Sequence, residues 1–219
     1  YGETKNQNKA VTVNAKISVL YDVLNKMVLD AAIEKISKGE RELALMHFHQ
    51  FKKNDLIIYD RGYPSYDFIK EHIKSNVDYL IRAKVSYSLV IKAFVDSGKS
   101  SIITGIYPGK NIPFSEKDYD RKTSITVRLI RINLPGGATE VLITSLLDSQ
   151  KHPVKIFKDL YFLRWGIETF YDELKNKLKV EHFTGYSAQS ILQDFYCALF
   201  ISNIQSLIVN DVQEELDVQ

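Results

Sequence analysis

Leu56-Ile57-Ile58-Tyr59-Asp60-Arg61-Gly62-Tyr63-Pro64-Ser65 decides the fold class. Four consecutive apolar residues, cut off by an acid and a turn, predict a short central strand buried on both faces. Pro64, Ser65 and Asp67 predict the start of a helix running to about Asn76. Residues 78–83 read as a second strand. Strand, helix and strand in this order predict a βαβ crossover and an α/β sheet.

Upstream, Val11, Val13, Ala15, Ile17 and Val19 alternate, the period-two pattern of a half-buried strand. Residues 24–31 read as its hairpin partner, with Tyr21-Asp22 near the turn, and a helix is expected from about Gly39 to Phe51. Downstream, residues 84–150 read as a β-rich insertion, with strands near 101–107, 123–134 and 139–147. Pro135-Gly136-Gly137 is a turn within it, and residues 110–122 form a polar loop. Residues 154–179 read as one helix and 187–212 as a buried one. The expected organisation is a core over 1–83, the insertion over 84–150 and C-terminal helices over 151–219.

The chain has 219 residues, a net charge of +2 and one cysteine, Cys197, expected in the core. That charge does not mark a nucleic-acid binder by itself. No signal peptide and no apolar run near the roughly 20 residues of a membrane span are read from the sequence, so no membrane partner is expected. Of the five histidines, His47 and His49 are expected to point to different sides of their helix, and no zinc site is expected.

On one helix at about 100° per residue, Tyr161, Arg164, Glu168, Asp172 and Lys175 fall within roughly 80° of arc. On geometry alone such a stripe fits a solvated salt-bridge ladder better than the wall of a groove; its conjunction with Asp60 favours the groove. Arg164, Lys175 and the Tyr161 hydroxyl are groups that contact DNA phosphates. Glu168 among them makes sense as a ligand of a divalent cation. Asp60 ends a strand where α/β folds place site residues, and Arg61 sets a cation beside it. Two-metal phosphodiester chemistry needs clustered carboxylates, so a third acid is expected besides these two.

Tyr161-x2-Arg164-x3-Glu168-x6-Lys175 resembles the Y-R-E-K signature of bacterial insertion-sequence transposases with a DDE catalytic core. Asp60-Arg61-Gly62-Tyr63 resembles the motif around that family's second catalytic Asp. Residues 19–22 and the region to Glu42 resemble the segment before it. The resemblance implies a ribonuclease-H-like mixed sheet flanked by helices, with a β-rich insertion before the Glu-bearing helix. It implies Asp60 and Glu168 as catalytic, metal-binding carboxylates, with Mg2+ or Mn2+ as cofactor and two ions in the complete site. Tyr161, Arg164, Lys175 and Arg61 are the implied DNA contacts. The implied reaction is strand cleavage at transposon ends and transfer to target DNA, by a dimer on double-stranded DNA, in the bacterial cytoplasm at the nucleoid.

The family's first catalytic Asp precedes a segment like Tyr1–Ala31. The chain is therefore expected to lack that ligand and its core strand, and to be inactive alone. Asp22, in a turn, and Asp30, near a strand end, are the nearby substitutes. A ribonuclease-H-like nuclease without strand transfer and an inactive, DNA-binding relic are the alternatives.

Overall fold

The computed structural model describes residues 2–5, 11–109, 122–134, 136–176, 184–185 and 187–217. Its main elements are β1 (Gly2–Lys5), β2 (Val11–Asp22), β3 (Met27–Lys35), α1 (Glu40–Met46), β4 (Leu56–Tyr59), α2 (Tyr66–Lys74), β5 (Asp78–Ala83), α3 (Leu89–Asp96), β6 (Ser101–Ile106), β7 (Ile125–Asn133), β8 (Thr139–Thr144), α4 (Phe157–Phe162), α5 (Trp165–Asn176) and α6 (Ala188–Asp217). The chain forms two compact units. One is Tyr1–Gln50 with Leu163–Gln219; the other is Phe51–Phe162. The loop expected over 110–122 lies almost wholly outside the described residues.

The unit of residues 51–162 is a five-stranded mixed sheet in the order β4-β5-β8-β7-β6. β4 runs parallel to β5, and every other pair is antiparallel. The sheet and its helices match the mixed α/β, ribonuclease-H-like class implied by the resemblance. The crossover between β4 and β5 is α2. Its N-cap, Ser65, accepts the Phe68 N–H at 3.1 Å, satisfying one of the helix's orphan donors. Tyr66, Phe68, Ile69 and His72 form its buried face. Asn76, at φ +53°, turns the chain out of the helix.

β4 departs from the expected central strand. It stands at the end of this sheet, and only Tyr59 of its four residues is fully buried. A continuous apolar run reports that two faces are compatible with burial, not that two neighbouring strands are present. The expected strands of the 84–150 segment form β6, β7 and β8; β8 pairs with β5, β7 with β8 and β6 with β7. The sequence reading missed α3. Ser88 caps it by accepting the Ile91 N–H, and Gly98, at φ +72°, ends it. Arg128 is buried in this sheet. It donates to Ser101 Oγ and to the carbonyls of Leu146 and His152, and it lies over the Phe157 ring, so its burial is compensated.

In the other unit, β2 and β3 pair antiparallel from Ala15↔Lys35 to Asp22↔Met27, with a bulge at Leu20/Tyr21. The turn falls later than expected. Asp22 accepts the Leu24 and Asn25 N–H groups, and Lys26 takes φ +56°. One hairpin face, with Ile17, Val19, Tyr21 and Ile33, packs on Phe170 and Leu174 of α5 and on Phe195 and Leu199 of α6. The opposite face holds a polar chain. Ser18 Oγ lies 2.9 Å from His47 Nε2, and His47 Nδ1 lies 2.8 Å from Asp30 Oδ2. His49 also turns to Asp30, 3.7 Å away, so the two imidazoles converge rather than diverge as expected. The short 3-10 turn His47–Gln50 breaks the α-helical register on which that expectation rested.

α6 is about 45 Å long at 1.5 Å per residue over its 30 residues. Four of its side chains bond the hairpin backbone. Asn203 accepts from Val28 N–H and donates to Val28 C=O, at 2.8 and 2.9 Å. Tyr196 reaches Ala31 C=O, Ser206 reaches Lys26 C=O, and Asn210 reaches Asn25 C=O. At Val28 and Ala31 these contacts give β3 backbone groups partners that a further strand would otherwise supply; at Asn25 and Lys26 they tie down the turn. The expectation of a buried helix is corrected: Phe200, Ile201, Ile208, Val209, Val212 and Leu216 are exposed. Cys197 is exposed too, not in the core. By length and composition Ala188–Leu216 is apolar enough to cross a membrane, which the sequence reading denied because it counted interrupting polar residues rather than the mean. Those polar residues include Asn203, which binds the hairpin.

Candidate active site

Asp60 follows β4 directly, where Tyr63 N–H closes a turn on Asp60 C=O at 3.2 Å. Tyr59 pairs with Ile81, so the next residues on these parallel strands, Asp60 and Arg82, are neighbours. Arg82 donates from Nε at 3.0 Å and from Nη2 at 2.6 Å, both to Asp60 Oδ1. Its Nη1 donates to Glu140 at the start of β8. On the antiparallel β5–β8 pair Arg82 faces Leu142, which puts Glu140 at the diagonal position that long side chains reach.

Tyr161 completes this cluster. It belongs to α4 and is 7% exposed, packed with Leu80, Ile130, Ile132, Leu142 and Phe157. Its hydroxyl donates to Asp60 Oδ1 at 3.4 Å, and the Arg82 guanidinium lies 5.9 Å from its ring centroid. Burial lowers the Arg82 pKa, but Glu140, then Tyr161 and Asp60, outweigh that and raise it. Arg82 is a fixed positive charge between two carboxylates.

The expected single helix over 154–179 is divided. A 3-10 turn precedes α4, α4 ends at Phe162, and α5 begins at Trp165. The stripe is divided with it. Tyr161 faces the core of one unit, whereas Arg164, Glu168 and Lys175 belong to the other. The break at residues 163–164 invalidates a uniform 100° step across it.

On α5, Glu168 sits in the first turn, where the helix dipole favours a carboxylate. Arg164 Nη1 donates to Glu168 Oε1 at 2.6 Å, and its guanidinium lies 5.5 Å from the Trp165 ring centroid. Lys175 is exposed in the last turn. Gly166 lets α5 approach the hairpin: a Cβ there would meet Val23 Cγ1 at 3.3 Å. Arg61 is exposed in the turn after Asp60.

The substitutes for a first Asp are engaged elsewhere. Burial pushes the Asp22 carboxyl up, but hydrogen bonds from Asn25 and Leu24 outweigh this and hold it below its usual value. Asp30 lies inside β3, not at its end, and holds His47.

Asp60 and Glu168 suit a divalent cation in kind. Both offer hard carboxylate oxygens, and their side chains are 41% and 44% exposed. Each is paired with a guanidinium at 2.6 Å, a cation that a metal would have to compete with. Among the described residues no three His, Cys, Asp or Glu side chains are grouped to hold a metal. The expected third carboxylate is therefore not found there.

A family profile described as the transposase DDE domain matches residues 1–204. The chain belongs to the transposase DDE domain family. It is 25% identical over 189 residues to Transposase InsG for insertion sequence element IS4 of Escherichia coli (strain K12). That match covers 83% of this chain and 40% of the relative, so the chain spans well under half of the relative's length. Transposases of this family generally use divalent metal ions, in keeping with the oxygen donors at Asp60 and Glu168. Two residues of this DDE domain escaped the sequence reading, Arg82 and Glu140. A lone arginine in the apolar strand Asp78–Ala83 was the available signal.

Proposed function

We propose that this transposase domain cuts DNA strands at transposon ends and joins the freed ends to target DNA. The observation that carries the reading is Asp60 at the mouth of a parallel strand pair, already holding a guanidinium on one carboxylate oxygen. Family membership supports it.

In this reading Asp60 and Glu168 hold Mg2+ or Mn2+, two ions in the complete site. Metal held there would supply charge stabilisation for the attacking and leaving oxygens of a phosphodiester. Arg61 and Lys175, both exposed, bind phosphates as point charges or forks. Arg164 orients Glu168 through their 2.6 Å bond. Tyr161 steadies Asp60 from the core side. Its share in DNA binding is then indirect, through the carboxylate it touches. Two copies acting on paired ends would form a dimer on double-stranded DNA.

The test uses the full-length transposase and a DNA fragment ending in its transposon terminus. Glu168→Gln is expected to lose Mg2+-dependent strand cleavage and keep end binding in a gel-shift assay. Cleavage at the wild-type rate by Glu168→Gln contradicts the assignment. Cleavage without joined products in the wild type favours a nuclease without strand transfer.

A further inference from the structure

We propose that Arg82, tethered by Glu140, is a built-in counter-ion of Asp60 that a divalent cation must displace in order to bind. The inference rests on the reading of Asp60 as a metal ligand and deepens it.

The geometry is specific. Arg82 spends two of its five N–H donors on a single oxygen, Asp60 Oδ1, rather than one on each carboxylate oxygen. A bidentate fork is the usual arginine–carboxylate geometry. A guanidinium centred on one oxygen instead occupies the kind of position that a cation takes beside a monodentate ligand. A third donor goes to Glu140, 58 residues away on β8. That second carboxylate gives the guanidinium an anchor that remains when Asp60 turns away. Arg82 therefore need not be left as a desolvated charge without a partner, the state that makes breaking such pairs costly. The Tyr161 ring beside it adds a face for the cation.

Two consequences follow from electrostatics. A unit positive charge at 2.6 Å from a ligand oxygen opposes the arrival of another cation. The same charge compensates the Asp60 carboxylate when no metal is present. Arg82 thus acts through Asp60. It is a positioning residue that sets the threshold of metal concentration at which the carboxylate changes partners.

The test measures metal binding directly in the purified full-length transposase. Mn2+ titrations followed by electron paramagnetic resonance compare wild type, Arg82→Gln, Arg82→Lys, Asp60→Asn and the Arg82→Gln/Asp60→Asn double variant. Arg82→Gln is expected to bind Mn2+ roughly ten-fold more tightly, the scale of removing a neighbouring unit charge at a partly exposed site. Arg82→Lys, which keeps the charge, stays near wild type. In the Asp60→Asn background the gain disappears. Unchanged or weaker binding by folded Arg82→Gln, with Asp60→Asn losing the site, overturns the counter-ion role and leaves the metal reading standing. Undiminished Mn2+ binding by Asp60→Asn overturns the metal reading itself.

A second measurement needs no variant. In wild type titrated with Mg2+, the Arg82 Nε–H resonance is expected to shift and to exchange faster with solvent as its bond to Asp60 is lost. An unmoved, equally protected resonance at saturating Mg2+ overturns the proposal.

Discussion

The Tyr161 hydroxyl donates to Asp60 Oδ1 at 3.4 Å, across 101 residues of sequence, while its ring sits in the sheet core. This relationship separates two roles that the sequence left merged. A tyrosine on an exposed stripe contributes little to stability, whereas a buried one is a packing residue. Tyr161→Ala is expected to destabilise the protein by about 3–5 kcal/mol, the usual cost of emptying an aromatic core site. Tyr161→Phe is expected to cost at most about 1 kcal/mol, since the hydroxyl bond is long. Urea unfolding of the two variants checks this, and an alanine variant as stable as wild type would contradict the buried placement.

His72 carries a pH dependence. It is fully buried, with Nδ1 2.8 Å from Phe68 C=O and Nε2 3.0 Å from the Tyr59 hydroxyl. Burial lowers its pKa from 6.5 to about 4. Between those values the unfolded chain binds a proton that the folded chain refuses, so stability falls with falling pH. It is complete above about pH 6.5 and is lost progressively toward pH 4. At about 1.4 kcal/mol per unit the loss reaches roughly 3 kcal/mol. Thermal melts from pH 7 to pH 4.5 should show the decline, and a His72→Gln variant should show less of it.

Asn203 offers a test of the hairpin unit. Its amide satisfies both backbone groups of Val28, which is itself buried. Asn203→Leu keeps the bulk and strands both groups. A loss of about 2–3 kcal/mol is expected, two unmade bonds to a half-buried backbone. Val28 amide exchange should accelerate in step. A variant with unchanged exchange at Val28 would remove this contact from the account.

The strands were the most legible part of the fold. Residues 56–59 and 78–83 fall where the apolar runs start and stop, because turn residues and an N-cap bound them on both sides. α3 was not legible: Leu89-Val90-Ile91 is a short apolar run too brief to show a helical period, and only the flanking Ser88 and Gly98 betray a helix. The division of residues 154–176 into α4 and α5 carries no proline, and its nearest glycine lies after the break. The exposure of α6 depends on what packs against it, which composition does not encode. Within the site, Asp60 was readable because it ends an apolar run, whereas Glu168 was one charge in a stripe that also fits a salt-bridge ladder, and the Y-R-E-K resemblance singled it out. The Arg82–Glu140 pair was not readable, because it exists only through the adjacency of β5 and β8. A contact across 58 residues follows from strand order rather than from spacing.

The central claim is that Asp60 and Glu168 are ligands of the catalytic metal, and metal-specific rescue tests it most directly. In the full-length transposase, Asp60→Cys and Glu168→Cys replace a hard oxygen by a soft thiolate, which Mg2+ binds poorly and Mn2+ accepts more readily. Each variant is expected to lose strand cleavage in Mg2+ and regain a measurable part of it in Mn2+, with end binding unchanged. Full cleavage in Mg2+ by either variant, or equal loss in both metals with the protein folded and bound to its DNA, would contradict the claim.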